Sequence, residues 1–125
     1  MKKRQRQRDV FTRRLKEARQ RLGISQAAVG IAAAVNHTGA STRFNRYEKG
    51  VYEPDMETMA RIADALNVPL PWLFTSDENL AELILNFATL SSDSQLRLLD
   101  MSRKMLSTSS DEMPEPLSAH NSILR

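Results

Sequence analysis

The sequence predicts an all-α protein, and three features support this fold class. Apolar residues recur at helical spacing up to about residue 106, while the alternation typical of β-strands is nearly absent. Residues that favour helix ends divide these segments, among them the N-cap candidates Ser25 and Asp55 and the stop residue Gly23. The chain has 125 residues and no cysteine, which suits one compact domain with a tail and excludes a disulfide framework.

The first predicted helix begins at the N-cap Asp9 and ends at Gly23. Its apolar residues step by four, three and four positions, which places them on one side. They are Phe11, Leu15, Ala18 and Leu22.

Two shorter helices follow, separated by a turn. Ser25 is the expected N-cap of the second helix, which runs from Gln26 to about Ala33 and is rich in small residues that let another helix come close. Residues 36–39 form a predicted turn, and the third helix covers about residues 40–48. Two short helices joined by a glycine-containing turn are typical of a helix-turn-helix.

The second half of the chain contains three further helices and a short turn. Asp55 is the expected cap of the fourth helix, and Pro71 opens one helical turn. Ser76 is the expected cap of the next helix. Ser92, with Gln95 three positions later, has the capping-box spacing for the last one.

Charge is distributed very unevenly along the chain. Residues 1–52 carry 13 Lys and Arg against three Asp and Glu, a net charge of +10, and residues 53–125 carry five against 12, a net charge of −7. A solvated charged face seldom gives such a split within one small domain. The split therefore indicates that one half of the molecule faces a polyanion, with nucleic acid as the expected partner.

Two segments resemble the Cro/repressor-type (XRE) family of helix-turn-helix regulators. They are LKEARQRLGISQ at residues 15–26 and RYEKGVYEPDMETMARIADALNVPLPWLF at residues 46–74. The resemblance covers about residues 11–74 and implies a five-helix lambda-repressor-like DNA-binding domain. Residues 22–50 look like a subgroup with a lengthened turn, which includes some controller proteins of restriction–modification systems. The extra residues fall within positions 34–40.

Four regions are expected from these patterns. A basic N-terminal arm at residues 1–8 precedes the DNA-binding domain at residues 9–75. Helices at residues 76–106 carry more apolar surface than such a domain needs, which predicts a dimerisation segment. Residues 107–125 lack periodicity and are predicted to be a disordered tail.

The third helix has one face for the core and one for a ligand. Phe44, Tyr47 and Glu48 are spaced to point inward. The opposite face then carries Thr42, Arg43, Asn45 and Arg46, with Ser41 at its edge. The resemblance implies that Ser41, Thr42, Arg43 and Arg46 read bases, and arginine on guanine is the commonest specific contact in the major groove. The alternative is that the two arginines touch only phosphates or solvent.

Phosphate contacts are expected around this helix. The resemblance implies such a contact, or one to a base edge, for Gln26 at the start of the second helix, where the positive helix end favours a phosphate. Asn45 is a supporting residue on the reading face. The remaining candidates are Lys49, Arg13, Arg14 and the arm residues 2–8. The arm either enters a minor groove or is a solvated leader.

The sequence gives no sign of catalysis, of a cofactor or of a small-molecule ligand. His37 and His120 are far apart and have no clustered carboxylates, so no metal site is expected. No glycine-rich phosphate loop is present, and no base is placed with Ser25. Because no catalytic constellation is recognisable, we expect a protein that is not an enzyme. The lack of cysteine fits a reducing cytoplasm, and no apolar run is long enough to span a membrane.

The sequence therefore predicts a transcriptional regulator that binds double-stranded DNA as a homodimer on an inverted repeat, and acts on its own or a neighbouring gene. The alternative is an antitoxin whose C-terminal helices bind a partner protein, with DNA binding as autoregulation. Both hypotheses use the same N-terminal domain and differ in what covers residues 76–106.

Overall fold

A computed structural model describes residues 6–35 and 39–108, and within these ranges the chain is helical and contains no strand. The all-α fold class is confirmed. The helices are α1 (Gln7–Leu22), α2 (Gln26–Ala32), α3 (Ala40–Lys49), α4 (Met56–Ala65), α5 (Glu78–Thr89) and α6 (Ser92–Thr108), with a 3₁₀ turn at Leu70–Phe74 before α5. The chain divides into two compact units, residues 1–89 and residues 90–125.

Local signals in the sequence define the ends of the first four helices. Gly23 and Gly50 both follow a helix in the left-handed conformation, with φ of +67° and +74°. The Ser25 hydroxyl accepts a hydrogen bond from the Ala28 amide at 3.0 Å, and the Asp55 carboxylate accepts one from the Thr58 amide at 2.8 Å. The predicted caps of α2 and α4 are confirmed.

Helix α1 begins earlier than the sequence predicts. Arg6 is at its N-cap position, and Asp9 lies in the first turn, where its charge suits the positive helix end. Gln7 and Arg8, the last residues of the predicted arm, are therefore helical, while residues 1–5 lie outside the described part of the chain.

The predicted caps of the last two helices are each wrong by one residue. The Asp77 carboxylate, not Ser76, accepts the Leu80 amide at 2.9 Å. The Ser91 hydroxyl, not Ser92, accepts the Ser94 amide at 3.3 Å. Serine and aspartate cap helices about equally well, so a run of neighbouring candidates does not identify the cap.

The core of the first unit lies between α1, α3, α4 and the 3₁₀ turn. Phe11 of α1 stacks on Phe74, with ring centroids 5.3 Å apart. Helix α2 packs on α3 and α4, and α5 contacts the 3₁₀ turn. The largest fully buried apolar side chains are Trp72, Phe44, Leu15, Ile62, Leu66 and Leu73.

The described part of the second unit is residues 90–108, which consist mainly of α6. None of the α6 residues is buried, and its apolar side chains are largely exposed. The helix continues to Thr108, two residues past the predicted boundary, and the rest of the predicted tail lies outside the described residues. Among the described helices, none is both long and apolar enough to cross a membrane.

Candidate nucleic-acid interface

Helices α2 and α3 approach each other closely at a glycine. A Cβ atom on Gly30 would lie 2.8 Å from the Ala40 carbonyl oxygen and 2.9 Å from the Ala40 Cβ. Both distances are shorter than real Cβ contacts, and one of the atoms is backbone. The absence of a side chain at Gly30 therefore sets how near the start of α3 lies to α2.

Helix α3 has the two faces that the sequence predicts. Phe44 and Tyr47 are buried with their rings edge to face at 6.3 Å. Asn45 is half-buried at the side of the helix. The exposed residues are Ser41, Thr42, Arg43, Arg46 and Lys49. All four candidate base readers are thus exposed on α3, and base reading itself stays a prediction.

A polar cluster fixes α3 to the two preceding helices. The Glu48 side chain is only 5% exposed, and its carboxylate accepts hydrogen bonds from Arg19 Nε at 2.6 Å and Nη2 at 3.3 Å. Gln26 Nε2 donates to the same carboxylate at 3.1 Å, and Arg19 Nη1 donates to the Ile24 carbonyl at 3.1 Å. A buried carboxylate with this many donors is well compensated and holds α1, α2 and α3 in one arrangement.

This cluster was not predicted from the sequence, although a signal for it was present. Glu48 was predicted to point toward the core, and a carboxylate there requires a cationic partner. The structure identifies Arg19 as that partner. Gln26, a predicted phosphate contact, is half-buried with its amide nitrogen committed to Glu48.

Arg14 is the clear correction among the candidate phosphate contacts. Its side chain is 1% exposed, and its guanidinium carbon lies 4.9 Å from the centroid of the Trp72 ring. The Nε and Nη2 atoms donate to the Thr75 carbonyl at 3.0 and 2.7 Å, and Nη2 also meets Glu78 at 3.0 Å. Because the guanidinium is buried and its donors are used inside the protein, Arg14 has a structural role.

Arg13 lies beside Arg14 but remains on the surface. It pairs with Glu78 at 3.2 Å and with Glu17 at 3.7 Å. The charge of Arg14, together with hydrogen bonds from Arg13 and Arg14, lowers the pKa of Glu78 from its ordinary value of 4.5. The positive charge of Arg13 is therefore already balanced within the protein, and its phosphate contact stays a prediction.

The described residues contain no group of three His, Asp or Glu side chains able to hold a metal ion. His37 and part of the lengthened turn lie outside these residues.

Comparisons with known proteins agree with this architecture. A family model described as a helix-turn-helix domain matches residues 10–71. The crystal structure of the transcriptional regulator BswR is similar, with a TM-score of 0.72 and 34% sequence identity over 78% of this chain and 96% of that chain. A comparison with curated proteins gave no match. The helix-turn-helix match covers residues 10–71, and the likeness to BswR extends over 96% of that regulator. The chain therefore belongs to the XRE-like family of helix-turn-helix, DNA-binding transcriptional regulators.

Proposed function

We propose that this regulator recognises a specific sequence in double-stranded DNA through α3, as a homodimer on an inverted repeat, and controls its own or a neighbouring gene. One observation carries the proposal. The exposed side chains Ser41, Thr42, Arg43 and Arg46 lie on a helix whose opposite face is buried and whose Glu48 is bonded to Arg19 and Gln26. A rigid helix with polar, cationic side chains outward suits the major groove.

The proposed contacts divide into base reading and backbone positioning. Arg43 and Arg46 pair with guanine edges, and Ser41 and Thr42 make shorter contacts with bases. Phosphate contacts fix the orientation of the helix but carry no sequence information. The proposed phosphate-contacting or supporting residues are Asn45, Lys49, Arg13 and Gln26. Gln26 would act through its backbone amide at the start of α2, because its side-chain nitrogen donates to Glu48.

Exposed apolar side chains support assembly into a dimer. Leu80, Leu83 and Phe87 of α5 are each about two-fifths to one-half exposed, and Met101 and Met105 of α6 are more exposed still. We assign residues 76–106 to the interface between two copies, which leaves one α3 per subunit for DNA. Two such helices would read half-sites about 34 Å apart, or a multiple of that distance. If a measurement of the mass in solution shows a monomer, the antitoxin hypothesis, in which a partner protein covers this surface, is favoured instead.

We also propose that the protein acts in the cytoplasm, and the proposed function requires no catalysis or cofactor. The likeness to BswR, a transcriptional regulator, supports the assignment to gene regulation.

The experiment that tests the proposal is selection of bound sequences from a random pool of DNA duplexes. The wild-type protein should enrich one inverted-repeat consensus. Arg43→Ala and Arg46→Ala should each weaken binding by about 1–3 kcal/mol and relax the preference at particular base pairs. Lys49→Ala is the matched control on the same helix, because loss of a phosphate contact should weaken all sequences alike. If the wild type enriches no consensus, the proposal is wrong.

A further inference from the structure

We infer that Tyr52 is a positioning residue that holds the Arg46 side chain in place for base reading. The guanidinium carbon of Arg46 lies 5.3 Å from the centroid of the Tyr52 ring, within the range of a cation–π contact. The inference rests on the proposed function of α3, and it adds a residue outside the reading helix to the determinants of specificity.

The backbone after α3 brings this ring back toward the helix. Gly50, with its positive φ, reverses the chain, and the Gly50 amide donates to the Tyr47 carbonyl at 3.2 Å. The Val51 amide then donates to the Arg46 carbonyl at 2.9 Å. Arg46 and Tyr52 are six positions apart, and residues at this spacing lie on different sides of a continuous helix. The chain reversal at Gly50 is therefore what brings the two side chains together. The hydrogen bond at Arg46 itself sets where the next residues lie.

The loop that carries Tyr52 is also tied to α1. Arg8 Nη2 pairs with the Glu53 carboxylate at 2.7 Å, and Arg8 Nη1 donates to the Gly50 carbonyl at 3.4 Å. These contacts lie on either side of Tyr52 in the sequence. They tie the loop that carries the ring to α1, which favours a position of the ring next to Arg46.

A cation–π contact is compatible with base reading by the same arginine. A cation–π contact uses the flat face of the guanidinium, whereas a bidentate contact with guanine uses N–H groups at its edge. The two contacts are therefore compatible. A long arginine side chain loses conformational freedom when it binds DNA, and a ring that already restricts it reduces that loss.

The ring is accessible at the same surface as α3. Tyr52 is 51% exposed, so its replacement leaves the core untouched. Its hydroxyl offers a rival role, a direct hydrogen bond to a DNA phosphate, and the conservative variant Tyr52→Phe separates the two roles.

The test compares Tyr52→Leu, which removes the ring, with Tyr52→Phe, which keeps the ring and removes the hydroxyl. Each full-length variant is titrated with the selected duplex and with duplexes altered at single base pairs. At the pair whose preference Arg46→Ala relaxes, Tyr52→Leu should reduce discrimination by about two- to fivefold. Tyr52→Phe should keep it, and both variants should keep the preference that depends on Arg43. In the Arg46→Ala background, Tyr52→Leu should have no further effect at that pair.

Three results would overturn the inference. The first is that Tyr52→Leu distinguishes the selected duplex from one altered at that base pair as well as the wild type does. The second is an equal loss on every duplex in both Tyr52 variants, which would indicate a phosphate contact through the hydroxyl. The third is an effect of Tyr52→Leu that persists when Arg46 is absent. Unchanged base preferences in Arg46→Ala would instead contradict the proposed role of that residue, and the inference would fail with it. Circular dichroism and urea unfolding of each variant verify that the fold is kept.

Discussion

Arg14 stabilises the fold by joining α1 to the segment that leads into α5. Its guanidinium covers Trp72, donates two hydrogen bonds to the Thr75 carbonyl and meets Glu78. The contacts with Thr75 and Glu78 span 61 and 64 positions of sequence. Hydrogen bonds from a charged donor are among the stronger ones in proteins, so we expect this residue to matter for stability rather than for DNA affinity.

Arg14→Ala should lower the free energy of unfolding by about 2–3 kcal/mol, because the Thr75 carbonyl loses its donors and Trp72 loses its cover. Arg13→Ala is the matched control one position away. Its ion pairs are exposed to solvent, so its loss should cost less than about 1 kcal/mol. Urea unfolding followed by Trp72 fluorescence measures both values. Equal costs in the two variants would contradict the structural role of Arg14.

Glu78 makes part of this stability dependent on pH. The pKa of Glu78 in the folded protein is lowered, first by the charge of Arg14, from an ordinary value of 4.5. Its ionised form therefore adds stability that is present above about pH 4.5 and lost as the pH falls through the lowered folded value. The side chain is 70% exposed, so the effect is small.

The corresponding prediction is that wild type exceeds Glu78→Gln in stability at pH 7 and that the difference shrinks toward pH 3. Thermal unfolding across this range gives the difference directly. Glu82→Gln, an exposed glutamate on the same helix, controls for the removal of one negative charge from α5. A Glu78→Gln difference that stays constant across the range would contradict the ion pair.

At the scale of the elements, the close contact of α2 and α3 determines how α3 is presented. Gly30 lies against Ala40, the first residue of α3, with no room for a methyl group. Glu48, near the other end of α3, is bonded to Arg19 and Gln26. The helix is thus held at both ends, which is what reading of a rigid groove requires.

Gly30→Ala should push the start of α3 away from α2, reduce stability by about 1–3 kcal/mol and weaken specific DNA binding. Gly39→Ala is the control, because its Cβ would meet no described atom within 4 Å and its φ of −128° suits alanine. That variant should stay within about 1 kcal/mol of wild type. Urea unfolding and DNA titration test both. Unchanged stability in Gly30→Ala would show that the two helices separate at little cost.

The sequence predicts the elements better than it predicts the contacts between them. The caps of α2 and α4 and the stops at Gly23 and Gly50 depend on neighbouring residues and are therefore visible in the sequence. In the sequence, Arg13 and Arg14 look equivalent. Only Arg14 is buried, because it contacts Trp72 and Thr75, which are distant in the chain. The Arg46–Tyr52 contact was missed for a similar reason, since it follows from the chain reversal after α3.

At the scale of the whole molecule, charge and apolar surface fall in different parts of the chain. Residues 1–52 have a net charge of +10 and contain α1 to α3. The exposed leucines and methionines are concentrated in α5 and α6. This separation suits a protein that binds a polyanion with one part and a second copy with another.

The proposed dimer predicts that the full-length protein sediments with twice the mass of the chain at micromolar concentration. The double variant Leu83→Gln/Met105→Gln should weaken association at least about tenfold, because polar groups would replace exposed apolar ones at the interface. Met56→Gln is the control, since Met56 is also exposed but lies on α4. A wild-type protein that stays monomeric would contradict the dimer and favour a different partner for this surface.

The most direct test of the central claim, that α3 reads a DNA sequence, is a comparison of two duplexes. Full-length protein is titrated at physiological ionic strength with the selected inverted repeat and with a scrambled duplex of the same length and base composition. Specific regulators prefer their site by about 10³-fold or more, and we expect a preference of this size that the double variant Arg43→Ala/Arg46→Ala largely loses. Equal affinity for the two duplexes, or a preference that survives the loss of both arginines, would contradict the account.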